Sequence, residues 1–357
     1  MRVLFISRAY PPTIGGIENQ NEALARHLAK VSNCQVIANK YGKKALPFFI
    51  PLTLIKAIML LKKIDIILLG DGVAAIIGWL IKLVTNKPVV CVLHGLDVTW
   101  QNKVYQKLWV SFFFNRIDHF IAVSQSTKEI TIKAGIPEQK ISVIPNGVEE
   151  SPITPLSKEE LSQKLNISLD DKFILLSLGR LIKRKGVLWF IENVVTTLPK
   201  DILYLVAGNG PDKRHLESAI KHHKLTGQVF LLGSVNNLIK ESLFTHSNLF
   251  IQPNIPVKND VEGFGITQLE AGIRGLPSLS SNLEGISDAI QEGKNGWLVE
   301  PLNKQEFSRV INERKILLGN STPFKLSVIQ HCKNNFEWPS IAHRYSNTLL
   351  QILDTPN

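Results

Sequence analysis

The sequence has few cysteines and no long apolar run. Its three cysteines are odd in number and far apart, which excludes a disulfide framework and a cysteine metal cluster and indicates a reducing compartment. No apolar stretch reaches the roughly 18 residues of a membrane-spanning helix, because Asp65, Asp71 and Lys82 interrupt the most hydrophobic region. We therefore expect a chain that does not cross a membrane.

The start of the sequence also lacks a secretory signal pattern. Met1 to Ser7 contain an apolar run that is too short for a signal peptide, so we expect a first strand there. The 357 residues are 44% hydrophobic and 20% charged, which is typical of a soluble globular protein. A chain of this length predicts two domains of about 150 to 180 residues each.

Acidic residues are absent from one long segment. Residues 23–64 contain eight basic residues and no acidic one, within a chain of net charge +11. This imbalance favours an anionic partner. We do not expect nucleic acid, because no zinc-finger spacing or RNA-binding aromatic motif accompanies the charge. An anionic membrane surface fits the segment better.

Two segments combine apolar side chains with lysines. Residues 44–63 form an apolar helical run in which Lys56 and Lys63 share a face. Residues 100–114 are rich in aromatic side chains and carry Lys103 and Lys107 one turn apart. Each segment either packs in the core or lies in a bilayer interface, where aromatic and basic side chains are enriched. We expect at least one of the two to contact a membrane surface.

The first half of the chain shows strands that alternate with helices. Val3–Ser7, Ile64–Leu69 and Val89–Leu93 are short and mostly apolar, which predicts buried parallel strands. In a doubly wound sheet of this kind, ligands bind at the carboxyl ends of the strands. The loops after these strands are therefore the first candidates for a site.

Polar and glycine residues follow two of these strands. Tyr10 and the glycine pair Gly15 and Gly16 come after the first strand. His94 comes directly after Val89–Leu93, and Asp97 follows three residues later. Asp97 either faces an acceptor hydroxyl or caps the next helix.

The second half repeats the pattern after a proline-containing linker. Ser157 and Glu160 form a capping-box pattern that predicts a new helix. Phe173–Leu178 and Ile202–Ala207 predict buried strands, and Val229 to Val235 predicts a third. Four of the six residues from Arg180 to Lys185 are basic, which favours an anion at this strand end.

One glycine-containing stretch lies between two glutamates and leads into a predicted helix. Gly263 and Gly265 loosen the backbone before Ile266, where an apolar helical stripe begins. The first amides of a helix attract a phosphate. Glu262 and Glu270 would repel a phosphate, so they suit the hydroxyl groups of a ligand. A ligand with hydroxyls on both sides of phosphates is a nucleotide-sugar.

These motifs, in this order, resemble those of the retaining glycosyltransferases of family four, which have the GT-B fold. The resemblance covers almost the whole chain and is carried above all by two glutamates with seven residues between them. It implies a fold of two Rossmann-like doubly wound α/β domains that face each other across a cleft. The implied domains are residues 1–150 for the acceptor, 151–165 as linker and first helix of the next domain, 166–335 for the nucleotide-sugar, and 336–357 as a helix that returns to the first domain.

The resemblance also implies a set of site residues. The residues implied in catalysis are His94, Glu262, Arg180 and Lys185. The residues implied in donor binding are Gly15, Gly16, Arg180, Lys185, Gly210, Val235, Glu262, Gly263, Phe264, Gly265, Ile266 and Glu270. On the acceptor side we expect Tyr10 and Asp97. One departure is Glu284-Gly285, where the family often has paired glycines, so the geometry of that loop is uncertain from sequence.

The implied activity is transfer of a sugar from a uridine- or guanosine-diphosphate sugar to an acceptor hydroxyl, with retention at the anomeric carbon. The chain has no Asp-x-Asp, and its Asp260-Val261-Glu262 overlaps the donor motif, so we expect neither a metal nor another cofactor. Arg180, Lys185 and helix amides would then stabilise the leaving diphosphate. We expect a lipid-linked or glycan acceptor in envelope polysaccharide synthesis and a cytoplasmic enzyme bound to the inner face of the membrane.

Two other functions fit parts of the pattern. A sugar-nucleotide epimerase of the same fold would isomerise its donor without any acceptor. A non-catalytic protein that binds membranes or polyanions would need neither Glu262 nor Glu270. The sequence does not define the donor sugar, the acceptor or the oligomeric state.

Overall fold

The computed structural model describes residues 1–13, 15–258, 260–318 and 322–354. Ile14, Asn259 and residues 319–321 and 355–357, which belong to the motif loops and domains predicted above, lie outside the described residues. The chain divides into two compact units. The first comprises Met1–Gly147, Asn259–Phe264 and Phe336–Asn357, and the second comprises Val148–Lys258 and Gly265–Asn335.

The first unit is built on a parallel sheet of six strands. Its strands are β1 (Arg2–Ser7), β2 (Asn33–Ala38), β3 (Ile66–Leu69), β4 (Val89–Leu93), β5 (His119–Ala122) and β6 (Ile141–Val143). Its helices are α1 (Gly16–Val31), α2 (Leu46–Leu60), α3 (Ala75–Ile81), α4 (Leu96–Thr99), α5 (Lys103–Tyr105) and α6 (Gln125–Lys133). The strand order is β2-β1-β3-β4-β5-β6, so the chain changes direction across the sheet between β1 and β3. The carboxyl ends of β1 and β3 are therefore the expected ligand side.

The second unit is also built on a parallel sheet of six strands. Its strands are β7 (Phe173–Leu178), β8 (Ile202–Ala207), β9 (Val229–Gly233), β10 (Leu249–Gln252), β11 (Ser278–Ser281) and β12 (Gly296–Val299). Its helices are α7 (Lys158–Leu165), α8 (Val187–Asn193), α9 (Lys213–His222), α10 (Asn237–His246), α11 (Ile266–Gly272), α12 (Lys304–Leu318) and α13 (Thr322–Phe336). The order β9-β8-β7-β10-β11-β12 is that of a Rossmann sheet, with its switch point between β7 and β10. The predicted fold class, two Rossmann-like α/β units, is confirmed.

The last helix of the chain, α14 (Trp338–Asp354), belongs to the first unit. Trp338 stacks on His27 of α1, with ring centroids 6.0 Å apart. Gly147, at the end of the first long segment of this unit, lies so close to Trp338 that a Cβ there would overlap the indole. The apolar stripe of α14 is thus buried through Ile341, Tyr345 and Leu349.

The two lysine-containing apolar segments are partly buried and partly exposed. In α2 only Thr53 and Ala57 are buried, while the remaining residues are half-buried or exposed. The aromatic segment forms α5 and a π-helix over Gln106–Phe113. Tyr105 of α5 and Phe113 of the π-helix are buried. Trp100 and Phe112 stay about half exposed. Among the described residues, no helix combines the length and the apolar character that are needed to span a bilayer.

Candidate active site

The loop after β4 is held in place by a buried carboxylate. Asp97 accepts the backbone N–H of His94 at 2.9 Å through Oδ1 and that of Gly72 at 2.9 Å through Oδ2. Burial raises the pKa of Asp97, while these hydrogen bonds act in the opposite direction. Because both oxygens are engaged inside the unit, the geometry favours an architectural role for Asp97 over contact with an acceptor.

His94 is oriented by a second contact at the same sheet edge. Its Nε2 lies 3.0 Å from the carbonyl oxygen of Gly70, the residue that follows β3. A carbonyl oxygen only accepts, so Nε2 carries the proton and Nδ1 of the neutral ring is left as an acceptor. The predicted catalytic histidine is therefore held in one tautomer at the carboxyl end of the first sheet.

An ion pair not anticipated from the sequence lies at the switch point of the first sheet. Arg8 Nε lies 2.9 Å from Oδ1 of Asp71, whose side chain is 0% exposed. Asp71 also accepts the backbone N–H of Val73 and so caps the short 3₁₀ helix after β3. The two residues are 63 positions apart, so no local pattern could reveal the pair.

Tyr10 and Gly15 lie in the loop between β1 and α1, and Gly16 is the first residue of α1. Tyr10 is half-buried, and burial raises the pKa of its phenol, with a further contribution from Glu22. Gly15 directly precedes α1, and a Cβ there would overlap the carboxylate of Glu18 in the first turn. The carboxylate of Glu18 therefore lies next to Gly15, one of the two glycines that the resemblance implies in donor binding.

The glycine-containing donor stretch contacts the His94 loop. A Cβ at Gly263 would overlap the carbonyl oxygen of His94, and Gly95, with φ +93, lies against the backbone of Gly263. Only a glycine permits such an approach of two backbones. The structure thus brings His94 next to Gly263. Glu262, which directly precedes Gly263, is half-buried in a non-helical segment.

Phe264 and the residues after it anchor this stretch. The Phe264 residue is 5% exposed, and its ring lies 6.4 Å from the ring of Phe336, so the ring packs inside the protein. Gly265 directly precedes α11, and a Cβ on Gly265 would overlap the side chain of Gln268. Helix α11 starts at Ile266, as the apolar stripe predicts.

A hollow lies at the switch point of the second sheet. It is lined by the carboxyl ends of β7, β8 and β10. Arg180 and Lys185 contribute to its wall. Gly186, with φ +67, closes the 3₁₀ turn that carries Lys185, and a Cβ there would overlap the carbonyl oxygen of Pro253. Two cations are thus placed where doubly wound sheets bind their ligands.

The neighbouring loops pack onto this hollow by their backbones. A Cβ at Gly210 would overlap the carbonyl oxygen of Leu181, and Leu181 donates its backbone N–H to Asn209 at 3.0 Å. The Asn209 side chain donates to the Ser234 hydroxyl at 2.9 Å, next to Val235. The three loops that follow β7, β8 and β9 therefore form one contiguous wall.

Glu270 has a partner that the sequence did not reveal. Lys240 Nζ on α10 lies 3.0 Å from Oε1 of Glu270 and 3.6 Å from Oε1 of Glu241. Burial by itself lowers the pKa of Lys240, but the two carboxylates outweigh it and raise the pKa above its usual value. Glu241 is in turn paired with Arg274 at 2.6 Å. Lys240 thus holds the Glu270 carboxylate in place.

The loop that departs from the resembled family takes a strained conformation. Glu284 has φ +53, which lies in the left-handed region. Non-glycine residues rarely adopt this region, and the paired glycines common in the family would adopt it at no steric cost.

Two family models match separate parts of the chain. Residues 14–151 match the model described as Glycosyltransferase Family 4, and residues 157–318 match the model described as Glycosyl transferases group 1. The two matches do not overlap, and together they span most of both structural units.

Individual relatives and solved structures agree with these models. The chain is 24% identical over 383 residues to a phosphatidylinositol N-acetylglucosaminyltransferase component of Arabidopsis thaliana, with 96% of this chain and 80% of the relative covered. It is 28% identical over 266 residues to UDP-Gal:alpha-D-GlcNAc-diphosphoundecaprenol alpha-1,3-galactosyltransferase of Escherichia coli, with 70% of this chain and 66% of the relative covered. The structure of Anabaena HepE in complex with UDP superposes with a TM-score of 0.77 at 20% identity and covers 98% of this chain and 100% of its own.

Proposed function

Because this chain belongs to the glycosyltransferases, with a family 4 first half and a group 1 second half, we propose that it transfers a sugar from a nucleoside-diphosphate sugar to the hydroxyl of a lipid-linked or polysaccharide acceptor, with retention of configuration. The observation that carries this proposal is the hollow at the switch point of the second sheet, with Arg180 and Lys185 in its wall. Such a site suits a diphosphate, because fixed cations and backbone amides stabilise the charge that develops on the leaving group.

The proposed roles follow from the geometry of each residue. Arg180 and Lys185 bind the diphosphate. Glu270 is held by Lys240 through one carboxylate oxygen and accepts hydrogen bonds from the ribose hydroxyls through the other. His94 presents Nδ1 as an acceptor for a sugar hydroxyl, or as a donor to the leaving phosphate when the ring is protonated. Glu262 accepts hydrogen bonds from hydroxyls of the transferred sugar. We propose that this set of residues needs no metal ion.

The relatives support a nucleotide donor and a lipid-linked acceptor. The name of the Escherichia coli relative gives a UDP-sugar donor and a diphosphoundecaprenol acceptor, and that of the Arabidopsis relative gives a phosphatidylinositol. The structures similar to this chain include HepE with UDP and with UDP-glucose. We propose a comparable role in envelope polysaccharide synthesis, at the cytoplasmic face of a membrane.

The transfer reaction can be tested with a panel of donors. The purified chain is incubated with α-linked UDP- and GDP-sugars and lipid-linked acceptors, and the anomeric configuration of the product is determined by NMR. We expect an α-linked product, and we expect Lys185→Ala and Glu262→Ala to lower transfer at least ~100-fold, as loss of a charge-stabilising group does. Lys183→Ala, an exposed neighbour on the same turn, is the matched control.

Three results would contradict the proposal. A β-linked product would exclude retention, and near-normal transfer by Lys185→Ala would exclude its role. Isomerised donor in the absence of acceptor would identify an epimerase instead. Membrane contact is tested separately by sedimentation with anionic vesicles at low salt, where we expect binding that weakens as salt screens the lysines.

A further inference from the structure

A large groove opens in the first unit at some distance in sequence from the predicted catalytic residues. It lies between the carboxyl end of β2 and the first turns of α2, and it has a volume of about 640 Å³. This lies within the roughly 300 to 1,000 Å³ of a site for a drug-sized ligand. Tyr10, the expected acceptor-side residue, lines it. The groove thus offers room for an extended molecule next to the loop after β1.

One wall of the groove is apolar and exposed. Phe48 and Leu52 of α2 line it with 73% and 58% of their surface exposed, and Phe49 lies beside them. A surface helix of a globular protein normally directs its apolar side chains to the core. Here Phe48 and Leu52 instead remain largely exposed. A contiguous exposed apolar surface of this kind marks a site of interaction.

The other features of the groove are polar and basic. Lys40 and Lys56 line it, and no acidic residue occurs among its lining residues or anywhere in residues 23–64. Thr53 also lines it and is almost completely buried. Exposed cations beside an apolar wall suit an anionic amphiphile.

We propose that this groove binds the lipid portion of the acceptor, a long apolar chain that carries a phosphate. The chain lies along Phe48 and Leu52, the phosphate binds Lys40 and Lys56, and the sugar hydroxyl points towards Tyr10. This inference rests on the proposed transfer reaction and specifies its acceptor class. It selects a lipid phosphate over a free polysaccharide, because a polysaccharide would leave the apolar wall uncovered.

Binding of a short model lipid tests the groove. Farnesyl phosphate, kept below the concentration at which it forms micelles, is titrated into the full chain by calorimetry, with farnesol and inorganic phosphate as separate probes. We expect Phe48→Ser to weaken farnesyl phosphate about tenfold or more, because a largely exposed phenylalanine loses the surface that the lipid would cover. Met59→Ser is the matched control, since Met59 is 75% exposed on the same helix but does not line the groove.

Each outcome decides the question. Loss of affinity in Phe48→Ser but not in Met59→Ser, with farnesol and inorganic phosphate both binding more weakly than farnesyl phosphate, supports the proposal. Equal affinity in both variants and the wild type, equal loss in both variants, or inorganic phosphate as strong as farnesyl phosphate overturns it. A UDP titration of the same samples separates the two claims. If UDP binds and farnesyl phosphate does not, the groove proposal fails and the transfer proposal stands.

Discussion

The pair formed by Lys240 and Glu270 makes a quantitative prediction about donor binding. Lys240 Nζ lies 3.0 Å from Glu270 Oε1, and the two side chains are 23% and 33% exposed. Replacing Lys240 by methionine keeps the apolar stem and removes the charge. Glu270 then loses the group that holds it, and its carboxylate is left uncompensated beside a bound nucleotide diphosphate. We expect Lys240→Met to weaken UDP binding.

The size of the effect follows from the distance and the exposure. Two unit charges 3.0 Å apart interact by about 1.4 kcal/mol in bulk water and about 5.5 kcal/mol at an effective dielectric constant of 20. Measured couplings of exposed pairs are smaller, about 0.2–1 kcal/mol, because the side chains lose freedom and solvent screens them. For a pair that is about one quarter to one third exposed we expect a coupling of about 1 kcal/mol, or a five- to tenfold change in affinity.

A double-mutant cycle isolates this coupling. The dissociation constant for UDP is measured for the wild type, Lys240→Met, Glu270→Gln and the double variant. Lys240→Met should weaken UDP five- to tenfold in the wild type and less than about twofold when Glu270 is already glutamine. Lys221→Met, at an exposed position on α9, controls for the loss of one positive charge. An equal effect of Lys240→Met in both backgrounds would refute the positioning role.

Two glycine substitutions test the close backbone contacts of the site. Gly186→Ala combines a left-handed backbone with an overlap on Pro253, whereas Gly227→Ala, at φ +89 with open space around it, carries the backbone strain alone. Thermal unfolding and UDP titration should show only the strain of about 1–2 kcal/mol for Gly227→Ala and a larger loss of both stability and affinity for Gly186→Ala. Gly263→Ala forces its backbone away from the His94 carbonyl and should lower transfer about 100-fold, as a displacement of about 1 Å does. Unchanged transfer by this variant would show that the contact with His94 is not required.

Much of the architecture was predictable, because buried parallel strands have sequences that are mostly apolar. Val89–Leu93, Phe173–Leu178 and Ile202–Ala207 have the same bounds in the structure as in the prediction. The capping box of Ser157 and Glu160 is also confirmed, with both reciprocal hydrogen bonds present. These features depend on neighbouring residues, so a local pattern is enough to identify them.

Two strands carry no such pattern. Strand β2 (Asn33–Ala38) lies at the edge of its sheet with half-exposed residues, so its sequence is mixed and does not alternate strictly. Strand β11 (Ser278–Ser281) is buried, but three of its four residues are serine. Ser280 accepts a hydrogen bond from the Gln268 side chain at 2.6 Å, a partner that only the folded unit supplies. Polar strands of this kind cannot be recognised from hydrophobicity.

The candidate site likewise contains some residues that the sequence could predict and others that it could not. The glycines and cations that follow strand ends were recognisable because the chemistry of phosphate binding needs them in short motifs. The ion pairs at the two sheets were not recognisable, since Lys240 is 30 positions from Glu270 and Arg8 is 63 from Asp71. For Asp97 the sequence leaves open an acceptor contact or a helix cap. Its hydrogen bonds with two backbone amides, which only the structure shows, favour an architectural role.

The most direct test of the account is a titration of UDP and GDP into the full chain, its Lys185→Met variant and its Lys183→Met variant. Lys185 lines the hollow at the switch point of the second sheet, and Lys183 is exposed on the same turn. We predict that Lys185→Met weakens the preferred nucleotide roughly ten- to 100-fold, the worth of a charge-assisted hydrogen bond to phosphate, while Lys183→Met changes it less than about twofold. Equal affinities for all three proteins, or an equal loss in both variants, would contradict a diphosphate site in that hollow.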